Sequence, residues 1–197
     1  MTVSEPAKPE APPGGIDIEA RLLRARQVFL WGEVNEDSAR AVITRLALLE
    51  AEDPAAEICL YINSPGGVVQ DGLAIYDAMQ AVRPPVCTVV TGLAASAGSL
   101  IQAGGAPGRR LAWPHARLMI HQPLLAGEYT ASASDLEIQA RELLHARDLV
   151  NRLLAEHSGQ PLERVRRDTD RNYWMSAQEA RDYGFIDEIV TRLTPTA

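Results

Sequence analysis

The chain has 197 residues, 46% of them hydrophobic and 23% charged, enough apolar material for one domain with a buried core. Its formal net charge of −7 argues against nucleic acid as a partner. No stretch approaches the ~18 uninterrupted apolar residues of a membrane span, and the opening MTVSEPAKPEAPPGG lacks the apolar core of a secretory signal.

A cytoplasmic, reducing setting with no membrane contact is the resulting expectation. Cys59 and Cys87 each lie inside an apolar run, EICLYI and VCTVV. They read as small buried hydrophobes, not as a disulfide framework or a metal site.

Residues 1–15 are rich in proline and glycine, with almost nothing to bury, and read as a disordered tail. Residues 16–193 read as one folded domain, and 194–197 as a second short tail. RQVFLWG (26–32) reads as a strand. Asn35 then suits the N-cap of a helix in which Val42, Leu46 and Leu49 recur at helical spacing. EICLYI (57–62) is a second strand, and Val68 to Val82 a second helix with Leu73, Tyr76 and Met79 on one face. VCTVVTG (86–92) is a third strand, Ser96 to Ala103 a short helix, and ARLMI (116–120) a fourth strand. Such near-continuously apolar strands, alternating with helices, predict an α/β fold with a parallel sheet.

From about Ser132 to His157 the chain has neither proline nor glycine. Leu136, Ala140, Leu143, Val150 and Leu154 mark one stripe of this helix. At its length it spans roughly 40 Å, longer than a small domain is wide, so part of it is expected to pack against another subunit. Pro161 then starts a short helix. Ser176 caps another, with Glu179 completing a capping box. Gly184 ends that helix, and FIDEIV reads as a last strand.

Three unusual turns each follow a strand directly, where α/β folds gather their sites. Asn63-Ser64-Pro65-Gly66-Gly67-Val68 leads into a helix. Its paired glycines let backbone approach a ligand, and free N–H groups at a helix start favour negative charge. No Gly-Lys-Ser/Thr follows, so it is not a P-loop. Gly92-Leu93-Ala94-Ala95-Ser96-Ala97-Gly98-Ser99 resembles a nucleophile elbow, with small residues on both sides of Ser96. Ser96 as a plain helix cap is the structural alternative, and Ser99 is a rival nucleophile. Leu118-Met119-Ile120-His121-Gln122-Pro123 ends a strand on a histidine suited to general-base work. His115, His145 and His157 are weaker candidates.

In order and spacing, YINSPGGVV (61–69), Gly92–Ser99 and Ile120–Pro123 resemble the Clp protease proteolytic subunit. So do DIEARLL (17–23) and DTDRNYWMSAQEARDYGFID (168–187). The resemblance implies a crotonase/ClpP-like α/β fold of repeated β-β-α and βαβ units, with the long helix joining stacked rings. It implies a serine endopeptidase with Ser96 as nucleophile, His121 as general base, and the N–H groups of Gly67 and Ala97 as oxyanion hole. It needs no cofactor or metal of its own. ATP is used by a partner AAA+ unfoldase such as ClpX, ClpA or ClpC, which delivers unfolded proteins to a chamber of two heptameric rings, a tetradecamer.

The match departs from the family pattern at the third triad position, where Asn172 stands in place of aspartate. Asparagine can orient His121 but brings no charge. Asp168 and Asp170 are nearby substitutes, though Asp170 and Arg171 resemble the family's inter-ring contact pair. An enzyme weak alone and dependent on a second ClpP paralogue is one implication, and a catalytically impaired subunit of a mixed ring is the alternative. The Pro-rich tail stands where the family has an axial hairpin, and Cys59 where it commonly has an aromatic in the unfoldase-docking pocket. Crotonase relatives, which act on acyl-CoA thioesters, do not need Ser96 and His121 together.

Overall fold

The sheet begins with a parallel pair, and that pair sets the frame for everything after it. The computed structural model of the chain describes residues 17–124 and 132–192. The two expected tails, 1–15 and 194–197, lie outside the described residues. Helix α1 (Ile18–Arg24), capped by Asp17, leads into strand β1 (Gln27–Trp31). Helix α2 (Glu36–Glu52) starts at Asn35, whose side chain accepts from the Ser38 N–H while the Ser38 hydroxyl accepts from the Asn35 N–H. Strand β2 (Ile58–Ser64), helix α3 (Val69–Ala81), strand β3 (Val86–Ala95) and helix α4 (Ala97–Ala103) follow. Then come β4 (Arg110–Ala112), β5 (Arg117–Ile120), α5 (Ala133–Ser158), α6 (Leu162–Asp168), β6 (Tyr173–Ser176), α7 (Ala177–Tyr183) and β7 (Glu188–Ile189).

The strands run β1-β2-β3-β4-β7, all parallel, and β5 pairs with β3 on one side and β6 on the other. The β5–β6 pair is antiparallel, so the sheet is mixed and not purely parallel as predicted. Residues of β2 alternate between two apolar clusters, as a pleated strand requires. Ile58, Leu60 and Ile62 face the main core with Leu46, Leu49, Ile75 and Ile101. Tyr61, with Cys87, Val89 and Leu111, forms a second, smaller cluster. Leu60 is fully buried, so Leu60→Ala would cost about 2–5 kcal/mol.

Strand β3 is longer than the predicted 86–92, because its two halves have different neighbours. Thr88–Val90 pair with β4, and Leu93–Ala95 pair with β5. The short β4 and β6 carry no periodic signal of their own, and pairing alone makes them strands. The predicted FIDEIV strand shrinks to Glu188–Ile189, since Phe185 and Ile186 are drawn into the core behind α7. Ser176 and Glu179 form the expected capping box, and Gly184 ends α7 in the left-handed region.

Helix α5 is continuous over 26 residues, about 40 Å. Among the described residues its later half packs on its own domain: Val150 and Leu154 are buried, whereas Leu136 and Ile138 are 44% and 53% exposed. The predicted stripe therefore divides into a packed end and an unpartnered end, and Ala140 is exposed with the latter. Among the described residues, no helix is long and apolar enough to cross a membrane.

Candidate active site

Ladder register brings the second and third unusual turns together. Ala95, the last residue of β3, pairs with Met119 of β5, and the Ser96 N–H donates to the Met119 carbonyl at 2.9 Å. Ser96 is therefore the first residue past one strand end and His121 the first past its neighbour. Their side chains meet, with His121 Nε2 2.8 Å from Ser96 Oγ. Ser96 occupies the N-cap position of α4, yet its side chain makes no capping bond. The structural alternative of a plain cap is thereby set aside, because the hydroxyl serves His121 instead.

Ser96 sits at φ 55°, ψ −124°, a region that L-residues other than glycine rarely enter. Such backbone costs about 1–3 kcal/mol and persists only where neighbours over-determine it. Those neighbours are visible. The Ser96 carbonyl accepts from the Ser99 Oγ at 2.6 Å and from the Ser99 N–H at 3.0 Å. Ser99, the rival nucleophile, is 2% exposed and turned back on this carbonyl, so it holds the turn.

The Gly66-Gly67 turn lies against the same point. A Cβ on Gly66 would stand 2.5 Å from the Ser96 Cβ and 3.0 Å from the Ala97 nitrogen. One on Gly67 would stand 2.1 Å from the Val34 carbonyl oxygen. Both glycines also have positive φ, 91° and 155°, so no other residue suits either place. Val34 is the part that sequence reasoning missed. It forms a parallel bridge to Gly67 through Val34 N–H to Gly66 O, 2.9 Å, and Val68 N–H to Val34 O, 2.8 Å. That pattern leaves the Gly67 N–H without a part in the bridge. Ala97 opens α4, so its N–H is one of the donors a helix start leaves unpaired within the helix.

Behind His121, the antiparallel β5–β6 pair places Asn172 one step beyond the Ile120–Tyr173 partners, opposite the histidine. The Gln122 N–H donates to the Thr169 carbonyl at 2.6 Å and the Gln122 side chain to the Asp170 carbonyl at 2.9 Å, tying this turn to the strand end. Burial holds the His121 imidazole below its ordinary pKa, and a hydrogen bond with the Asn172 side chain opposes part of that shift. Neither nearby aspartate replaces Asn172. Asp168 accepts from the Tyr183 hydroxyl at 2.9 Å and lies 3.5 Å from Arg164. Asp170 is exposed, 3.8 Å from the Arg171 guanidinium.

A groove runs past Ser96 and His121, walled by Val69 and Leu73 of α3 and by Leu143 and Leu149 of α5. His145 lines it further along. His157 instead pairs with the Tyr76 hydroxyl at 2.7 Å, and His115 lines a separate hollow beside Trp113. The arrangement can perform acyl transfer: a hydroxyl on a tight turn, an imidazole in hydrogen-bond reach, backbone donors alongside, and an apolar groove for an extended chain. The model of the Clp protease family matches residues 13–193, a span that contains every element of the fold and every residue of this site, and the chain belongs to the Clp protease family as a ClpP-like peptidase.

Proposed function

We propose that this chain is the proteolytic subunit of an ATP-dependent Clp protease, a serine endopeptidase that cuts unfolded proteins into short peptides. The observation that carries the reading is the 2.8 Å contact between His121 Nε2 and Ser96 Oγ on a strained turn. His121 Nε2 accepts the Ser96 hydroxyl proton as Oγ attacks a peptide carbonyl. The N–H groups of Gly67 and Ala97 hold the oxyanion, where one donor is typically worth about 3 kcal/mol. His121 then passes the proton to the leaving amine, and water releases the acyl-enzyme through the same base. None of these steps calls on a metal or cofactor. ATP is consumed by an AAA+ unfoldase partner.

The exposed early half of α5 supports self-association, with two heptameric rings stacked as a tetradecamer, alone or with a second ClpP paralogue. A catalytically impaired subunit of a mixed ring is the second reading, and Asn172 is the observation that favours it. A fluorophosphonate probe separates the two. Covalent labelling of the wild type, lost in Ser96→Ala, supports the peptidase. An unlabelled, folded wild type, alone and mixed with a paralogue, leaves the impaired subunit as the answer.

A further inference from the structure

At the opposite ends of β2 and β3 from the Ser96 turn lies a cysteine pair that peptide hydrolysis does not use. Cys87 precedes Ser96 by nine strand positions, about 30 Å of extended chain. Cys59 and Cys87 are register partners in the parallel β2–β3 ladder, so their side chains stand on the same face. That face carries the smaller apolar cluster with Tyr61, Val89 and Leu111. The two sulfurs and a carboxylate oxygen of Glu57 all lie within 4.8 Å of one another. Neighbouring strands run about 4.7–4.9 Å apart, inside the Cα separation of about 4.4–6.8 Å that a disulfide spans.

The two thiols differ in access. Cys87 is fully buried and Cys59 is only partly so, and a small solute therefore reaches one sulfur first. Their electrostatic surroundings differ as well. Cys59 is held below its ordinary thiol pKa, first by the hydrogen bond with Cys87 and further by the Arg109 charge, against burial and Glu57. Cys87 is pushed up, by its bond to Cys59 and by burial. Cys59 is thus both the more accessible and the more readily ionised of the two sulfurs, the arrangement found where an attacking cysteine has a resolving partner.

A divalent metal suits the trio less well. Arg109 grips Glu57 with two bonds, Nε to Oε1 at 2.6 Å and Nη2 to Oε2 at 2.5 Å. The third ligand is therefore already engaged, and a fixed cation stands beside the place a second cation would occupy.

We propose that Cys59 and Cys87 form a hydroperoxide-reactive dithiol that closes to a reversible cross-strand disulfide. The Cys59 thiolate attacks one peroxide oxygen. An S–O bond forms, the O–O bond breaks, and the departing hydroxide takes up a proton as water. The Cys87 sulfur then attacks the Cys59 sulfenic acid. The S–S bond forms, the S–O bond breaks, and the hydroxide leaves with the Cys87 proton as a second water. Two electrons pass from the sulfurs to hydrogen peroxide, and an added dithiol returns them.

The test treats the full chain with hydrogen peroxide, then denatures and alkylates it before mass analysis and peptide mapping. The expected result is a loss of both alkylatable thiols and of about two mass units, reversed by dithiothreitol, with a mapped Cys59–Cys87 crosslink. Cys87→Ser should instead accumulate one or more oxygens on Cys59. The proposal is overturned if both thiols survive peroxide, if each gains oxygen without a crosslink, or if the crosslink joins two chains. It also fails if added zinc binds stoichiometrically and shields both thiols from alkylation, since a metal site would then be the better description. The wild-type map decides the matter even where the variant does not fold.

Discussion

Ser96 and His121, the proposed nucleophile and base, are held by different means, and the weaker hold is on His121. Four bonds fix the Ser96 backbone, one to Met119, two from Ser99 and one from Leu100. The side chain that hydrogen-bonds His121 from behind is the neutral Asn172. A carboxylate there would stabilise the imidazolium that forms during attack. In the serine-protease triad, the reverse change from aspartate to asparagine lowers kcat about 10⁴-fold. Asn172→Asp is therefore expected to raise kcat on a short peptide at least about tenfold. The pH profile moves as well. Burial lowers the His121 pKa, so the neutral base forms below the usual histidine range of about 6.5. A neighbouring anion favours the charged imidazole, so Asn172→Asp should shift the acid limb of kcat/KM to higher pH. Equal rates and superimposable limbs in the two proteins would show that Asn172 does not limit the site. Ser96, His121 and Asn172 were all legible from their motifs. The reversal of Ser99 onto the Ser96 carbonyl was not, because a hydroxyl's direction depends on the turn it sits in.

The site is made where elements end, so its precision depends on register. Strand β3 reaches Ser96 only because its last three residues find a second neighbour in β5. The Gly66-Gly67 turn is pressed into place by the Val34 bridge. The sequence pattern located β1, β2, β3 and β5 and the helices α2, α3 and α5, but not this clasp, which joins residues 33 positions apart through backbone atoms alone. Gly66→Ala tests the clasp. Its Cβ would overlap the Ser96 Cβ at 2.5 Å and sit at φ 91°. The strained backbone alone costs about 1–3 kcal/mol. Melting is expected to fall by roughly 2–4 °C per kcal/mol, with probe labelling at Ser96 lost even where the variant stays folded. Retained labelling would mean the turn can withdraw from Ser96 without consequence.

On the scale of the whole molecule, α5 is the element the single chain does not account for. Leu136, Ile138 and Leu144 remain 44%, 53% and 50% exposed, while the same helix is anchored further on by Val150 and Leu154. Leu136 and Leu144 lie on one side of the helix and Ile138 on the other, and exposed apolar side chains on an ordered helix are what the proposed assembly would cover. Replacing Leu136, Ile138 and Leu144 together by Glu is expected to leave helix content and melting of the isolated subunit nearly unchanged, because these side chains touch little of their own domain. If the proposed rings form, sedimentation should shift from the assembled particle to smaller species. Unaltered sedimentation would remove this half of α5 from the assembly contact. His145 and Leu143 line the groove past Ser96 from the same helix, so loss of the proposed assembly would also disturb the groove wall.

The sequence by itself determined the α/β alternation, the capped helices, the three turns and the choice of Ser96, His121 and Asn172 as site candidates. These rest on local spacing, on capping chemistry and on motifs that survive in one dimension. Tertiary structure alone decided the antiparallel β6, the split pairing of β3, the Val34 clasp and the division of α5 into packed and bare halves. It also placed Cys59 beside Cys87, where two separate apolar runs had shown only small hydrophobes. Each of these depends on which strand lies beside which, and in what register. Short apolar runs do not encode that choice, since any of them could pair with any other until the core is packed.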